Sequence, residues 1–98
     1  MLLPKFCWGQ YLNLKGPQYS INNCGPGMNH YCPSLILLNR GERTFGKAGK
    51  KRTLLRYAKK GFIYTLKWMK KYPNCPLRAR AEASLRRVNM DLSILPRR

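Results

Sequence analysis

Twenty Lys and Arg side chains stand against three Asp and Glu in a chain of 98 residues, a formal net charge of +17. A compact free monomer carrying that surplus repels itself. A chain this short also buries only a modest fraction of its unfolded surface, so its core is thin. Stable order therefore calls for a polyanionic partner: nucleic acid, an anionic membrane surface or an acidic protein. Cations that are dense, persistent along the chain and interleaved with aromatic residues favour nucleic acid.

The charge is unevenly spread. Only Lys5 and Lys15 precede Arg40, and the other 18 basic residues lie from Arg40 onward. The chain reads as an extended arm with turns over 1–39, a Gly/Lys/Arg linker over 40–52, and a basic helical hairpin with a tail over 53–98. In the arm, Pro4, Gly9, Gly16-Pro17, Asn22-Asn23, Gly25-Pro26-Gly27 and Pro33 interrupt every window long enough for three helical turns. Its apolar residues, among them Phe6, Trp8, Tyr11 and Tyr19, lack a sustained period and suit docking on a neighbour, and Leu35–Leu38 suits one short strand. The linker is expected to order only on meeting phosphate.

From about Arg52 to Tyr72 the pattern turns helical. Leu55, Ala58, Phe62, Leu66 and Met69 share one stripe at 3.6 residues per turn. Arg52, Arg56, Lys59, Lys60, Lys67, Lys70 and Lys71 gather on an adjoining arc, and Tyr57, Tyr64 and Trp68 on a third. Gly61 weakens this helix by about 1 kcal/mol relative to Ala, and Pro73 ends it at Tyr72. A second helix is expected from about Pro76 to Leu92, with Leu77, Ala81, Leu85, Val88 and Leu92 as its apolar stripe. On it Glu82 stands four residues from Arg78 and Arg86, and Asp91 four from Arg87. The expected fold class is thus mainly α, with a long irregular or extended N-terminal arm and a basic αα-hairpin in the C-terminal half.

No catalytic constellation emerges. His30 is the single histidine and has no Ser, Cys or carboxylate arranged with it, and ion pairing accounts for Glu42, Glu82 and Asp91. Gly41 to Lys47 departs from a phosphate-binding loop because Ala48 holds the Ser/Thr position. Cys7, Cys24, Cys32 and Cys75 contain no C-x-x-C pair, so free buried thiols are preferred to one or two disulfides, and both to a zinc site with His30. The expectation is a chain with no enzymatic activity, no cofactor and no small-molecule substrate. It is also expected to lack a transmembrane span, since the longest apolar run is Leu35–Leu38, and to lack a secretory signal, since Met1–Phe6 is too short and is followed by Gly9.

The residues expected on phosphate are Arg40, Arg43, Lys47, Lys50, Lys51, Arg52, Arg56, Lys59, Lys60, Lys67, Lys70 and Lys71, with Arg97 and Arg98 in the tail. Their spread over linker, helix and tail favours RNA over a single DNA-reading helix. In layout the chain resembles small organellar, mitochondrial ribosomal proteins: a sparsely charged aromatic arm, the linker Gly46-Lys47-Ala48-Gly49-Lys50-Lys51-Arg52, then a basic helical hairpin. The resemblance implies a structural rRNA-binding subunit of a ribosome in the mitochondrial matrix, neutralising phosphates and bridging neighbouring ribosomal proteins. The alternative is an accessory subunit of a mitochondrial inner-membrane complex that contacts anionic lipid headgroups. A secreted cationic antimicrobial or disulfide scaffold is a third reading.

Overall fold

In the computed structural model, Cys7 and residues 28–95 are described. They form three helices and, among the described residues, no strand: α1 over Met28–Glu42, α2 over Ala48–Met69 and α3 over Arg78–Ser93. The protein is mainly α, as expected. The part of the expected extended arm that falls on 1–6 and 8–27 lies outside the described residues.

Residues 28–39, expected as the end of the arm with a strand at Leu35–Leu38, are instead the body of α1. The stripe that makes this possible is Tyr31, Leu35 and Leu38, spaced by four and three, each at most 2% exposed. Pro33 does not act as the expected breaker. It lies inside α1 and is exposed, so the helix forgoes the bond to the Asn29 carbonyl and tolerates the ring's crowding of that carbonyl. Burial of the flanking residues outweighs that loss, with the Tyr31 and Phe62 ring centroids 6.0 Å apart.

The expected 13-residue linker shrinks to 43–47, because its first residues finish α1 and its last begin α2. The turn is internally bonded: Arg43 N–H donates to the Asn39 carbonyl at 3.1 Å, and the Thr44 hydroxyl to the Arg40 carbonyl at 2.7 Å. Gly46, at φ +72°, supplies the left-handed step that reverses the chain.

The stripe of α2 is as expected, with one addition. Leu55, Ala58, Phe62 and Met69 are fully buried and Leu66 partly so. Thr65 is buried beside them because its hydroxyl is satisfied by the Gly61 carbonyl at 2.8 Å. The helix ends at Met69, ahead of Pro73. In α3, Ala81 and Val88 are buried, with Leu77 just before the helix; Ser84 joins them, while Leu85 and Leu92 are only partly covered.

Helices α2 and α3 do pack together, but the larger interface joins α1 to α2, and α3 touches α1 less. The expected two-helix hairpin is therefore part of a three-helix assembly. Phe62, Leu38, Leu55, Met69 and Val88 fill the centre of its core.

The expectation of free thiols is corrected. Cys7 and Cys32 form a disulfide with Cα atoms 5.5 Å apart across 25 residues of sequence. Cys75 is disulfide-bonded as well, and no described cysteine is free. Sequence spacing carried no sign of this, because a disulfide depends on Cα separation and not on motif.

Candidate nucleic-acid interface

The apolar stripe of α2 turns inward against α1 and α3, so the opposite side of the same helix is left to solvent. Arg56, Lys60 and Lys67 are exposed there, Lys70 and Lys71 are exposed in the turn just past its end, and Arg52 and Lys59 are half-buried along its edge. Lys50 is exposed in the first turn, and Arg40, Arg43 and Lys47 are exposed around the α1–α2 turn. Lys51 does not join this face. It is half-buried, its Nζ lies 5.8 Å from the Phe45 ring centroid, and its charge acts on Asp91 of α3. Arg97 and Arg98 lie outside the described residues.

Aromatic rings run along the cationic side. Tyr57 is 57% exposed and Tyr64 42%. Tyr64 meets Trp68 at 6.3 Å between centroids, and His30 of α1 lies against Tyr64 at 4.3 Å. Lys60 Nζ lies 5.8 Å from the Tyr57 centroid and Lys71 Nζ 5.0 Å from that of Trp68, distances at which ring and cation attract. Two shallow cavities open here. One, of about 220 Å³, is lined by Thr53, Arg56, Tyr57 and Lys60; the other, of about 150 Å³, is lined by Tyr64, Lys67, Trp68 and Lys71.

The carboxylates sit elsewhere. Glu82 pairs with Arg78 within α3 at 3.2 Å, and the expected second partner, Arg86, is not engaged. Arg87 reaches across to Glu42 of α1 at 2.5 Å, not to its helix neighbour Asp91. That choice leaves Asp91 Oδ2 buried with no donor to accept from, beside the Glu42 carboxyl. Burial, then the adjacent Glu42, raises the Asp91 carboxyl to about 6. Burial pushes Glu42 up too, but a hydrogen bond from the protonated Asp91 carboxyl and the Arg87 guanidinium together outweigh it and hold Glu42 below the usual range. All three acids therefore stand on α1 and α3, and none tempers the outer side of α2.

Among the described residues, no three His, Cys, Asp or Glu side chains gather as metal ligands, and no helix is long and apolar enough to cross a membrane. Two features escape a reading of the sequence alone. His30 is brought to the aromatic row by the folding of α1, which the glycines and prolines conceal. Arg80 and Arg86 of α3 are exposed, and their positions off the α3 stripe are the signal that could have found them. What the surface offers is a row of ammonium and guanidinium groups with ring faces between them, suited to phosphate oxygens and planar groups. The chain matches no family model, no curated protein and no solved structure.

Proposed function

We propose that this chain is a structural RNA-binding protein that neutralises backbone phosphates with the outer side of α2. The observation that carries the reading is the cationic and aromatic row from Arg56 to Lys71, on which no carboxylate lies. Each phosphate so paired releases condensed counterions; six to ten such pairings change affinity by about 10³ to 10⁵ between low and moderate salt. The role is that of binding and cementing, with no chemical step. Phe45 and Ile94, 82% and 79% exposed beside one cavity near the α1–α2 turn, suit contact with neighbouring proteins. An rRNA-binding subunit of a mitochondrial ribosome is the setting that the layout suggests.

A second reading is favoured by a specific observation. Disulfides persist in oxidising compartments and are rare where thiols are kept reduced, so the Cys7–Cys32 bond and the disulfide at Cys75 favour a secreted cationic scaffold that meets anionic lipid. Ile63, 48% exposed among the cations of α2, suits an interfacial helix of that kind.

Fractionation from its native source separates the two. Nuclease treatment is expected to release the protein from its particle and detergent to leave it bound. Release by detergent alone overturns the RNA reading in favour of lipid.

A further inference from the structure

The two cavities on α2 are the same arrangement written twice. Thr53, Arg56, Tyr57 and Lys60 line the first; Tyr64, Lys67, Trp68 and Lys71 line the second. Each position of one set recurs eleven residues later in the other, within Arg56-Tyr57-Ala58-Lys59-Lys60 and Lys67-Trp68-Met69-Lys70-Lys71. Eleven residues are three turns plus about 20°, so both sets face the same way, about 16 Å apart along the axis. In each, a cation stands one position before a ring, and a lysine three positions after it holds its ammonium 5.8 Å or 5.0 Å from the ring centroid.

Resting on the RNA reading above, we propose that these are tandem nucleotide sites, each stacking one unpaired base on Tyr57 or Trp68 while the flanking cations take the adjoining phosphates. Cavities of about 220 and 150 Å³ are smaller than the roughly 300 Å³ at which pockets begin to enclose a free small molecule. A cradle of this size suits one planar group of a longer polymer. The repeat distance of about 16 Å is close to that of five stacked nucleotides at about 3.4 Å each. A duplex keeps its bases stacked on one another and withholds them from the rings, so the partner is a single strand or a loop.

The experiment uses the full chain with its disulfides intact and measures binding of a labelled uridine strand of about ten nucleotides. An RNA duplex of equal length, heparin, and phosphatidylserine-containing vesicles serve as the other probes. Tyr57→Leu and Trp68→Leu remove a ring while keeping apolar bulk and net charge; Tyr57→Phe and Trp68→Phe keep the ring. Each Leu variant is expected to bind the single strand about tenfold more weakly, each Phe variant to bind it as the parent does, and all to bind duplex and heparin unchanged. Circular dichroism verifies that helicity is kept, and the Phe variants supply the comparison if a Leu variant loses it. An undiminished affinity for the strand, an equal loss on duplex and heparin, or tighter binding to vesicles than to the strand overturns the proposal while leaving polyanion binding in place. Failure of every variant and the parent to bind any polynucleotide overturns the RNA reading with it.

Discussion

Ser34 of α1 and Gly61 of α2 meet so closely that a Cβ built on Gly61 would lie 1.7 Å from Ser34 Oγ and 2.9 Å from Ser34 Cβ. The hydroxyl cannot easily withdraw, since Ser34 is 3% exposed and its Oγ donates to the His30 carbonyl at 2.6 Å. The glycine that weakens α2 as an isolated helix is the one that lets α1 lie against it.

Gly61→Ala tests this approach, because helix propensity alone would stabilise the protein by about 1 kcal/mol. Overpacking is expected to win, with a net loss of about 1–3 kcal/mol in chemical denaturation. Adding Ser34→Ala removes the nearer clash and should recover part of the loss. Gly41→Ala is expected to cost less, because its nearest neighbour is the end of the Leu55 side chain at 2.8 Å. A stabilised Gly61→Ala variant would show that the helices do not approach this way.

The Cys7–Cys32 bond closes a span of 25 residues, for which loop-closure entropy gives about 3.5 kcal/mol. Reductant should lower the melting temperature by more than about 10 °C, at about 4–8 °C per kcal/mol for a domain of this size. Alkylation without reductant should label no described cysteine, read as mass. Labelling of Cys32 or Cys75 in the untreated protein, or an unchanged melting temperature, would count against these bonds.

Helix α2 was legible because Leu55, Ala58, Phe62 and Met69 repeat at the helical period and Pro73 stops them, and α3 because Leu77, Ala81 and Val88 do the same. The cations of α2 were legible for the same reason: once the inward stripe is known, the remaining positions face water. Helix α1 was hidden by Pro33 and by the glycines and prolines ahead of it, since breaker residues register local cost and not the tertiary burial of Tyr31, Leu35 and Leu38 that offsets it. With α1 hidden, so was His30 beside Tyr64, and the α2–α3 hairpin stood as the whole scaffold. The choice of Arg87 for Glu42 over Asp91 was equally unreadable, because it depends on where α1 ends.

Asp91 and Glu42 make the fold sensitive to pH in opposite directions. The Asp91 carboxyl rises from an ordinary 3.8 to about 6, so the folded chain holds that proton more tightly than the unfolded one. The associated stability is complete below about 3.8 and is lost as pH rises through about 6. Glu42 is held below its ordinary 4.5, and its contribution is present above that value and lost as pH falls. Asp91→Asn keeps the shape and removes the first dependence. Its stability relative to the parent is expected to increase between about pH 4 and 7, measured by denaturation at each pH. Parallel pH profiles for the two proteins would mean that Asp91 titrates as an ordinary surface carboxyl.

Cations already paired within the fold should contribute less to binding than those left to solvent, and salt dependence can tell them apart. Arg56, Lys60 and Lys67 are exposed on α2, whereas Arg78 and Arg87 are engaged by Glu82 and Glu42. Neutralising the first three with Gln is expected to flatten the slope of log affinity against log salt for an RNA strand by about two units, at roughly 0.7 for each phosphate that no longer meets a cation. Neutralising Arg78 and Arg87 should change that slope by less than about one unit, since both are held by carboxylates of the fold and meet no phosphate. Filter binding across a salt series measures both. Equal slopes for the two sets of variants would mean that the outer side of α2 holds no privileged position in binding, and that the surplus of charge acts as a diffuse field instead of a surface.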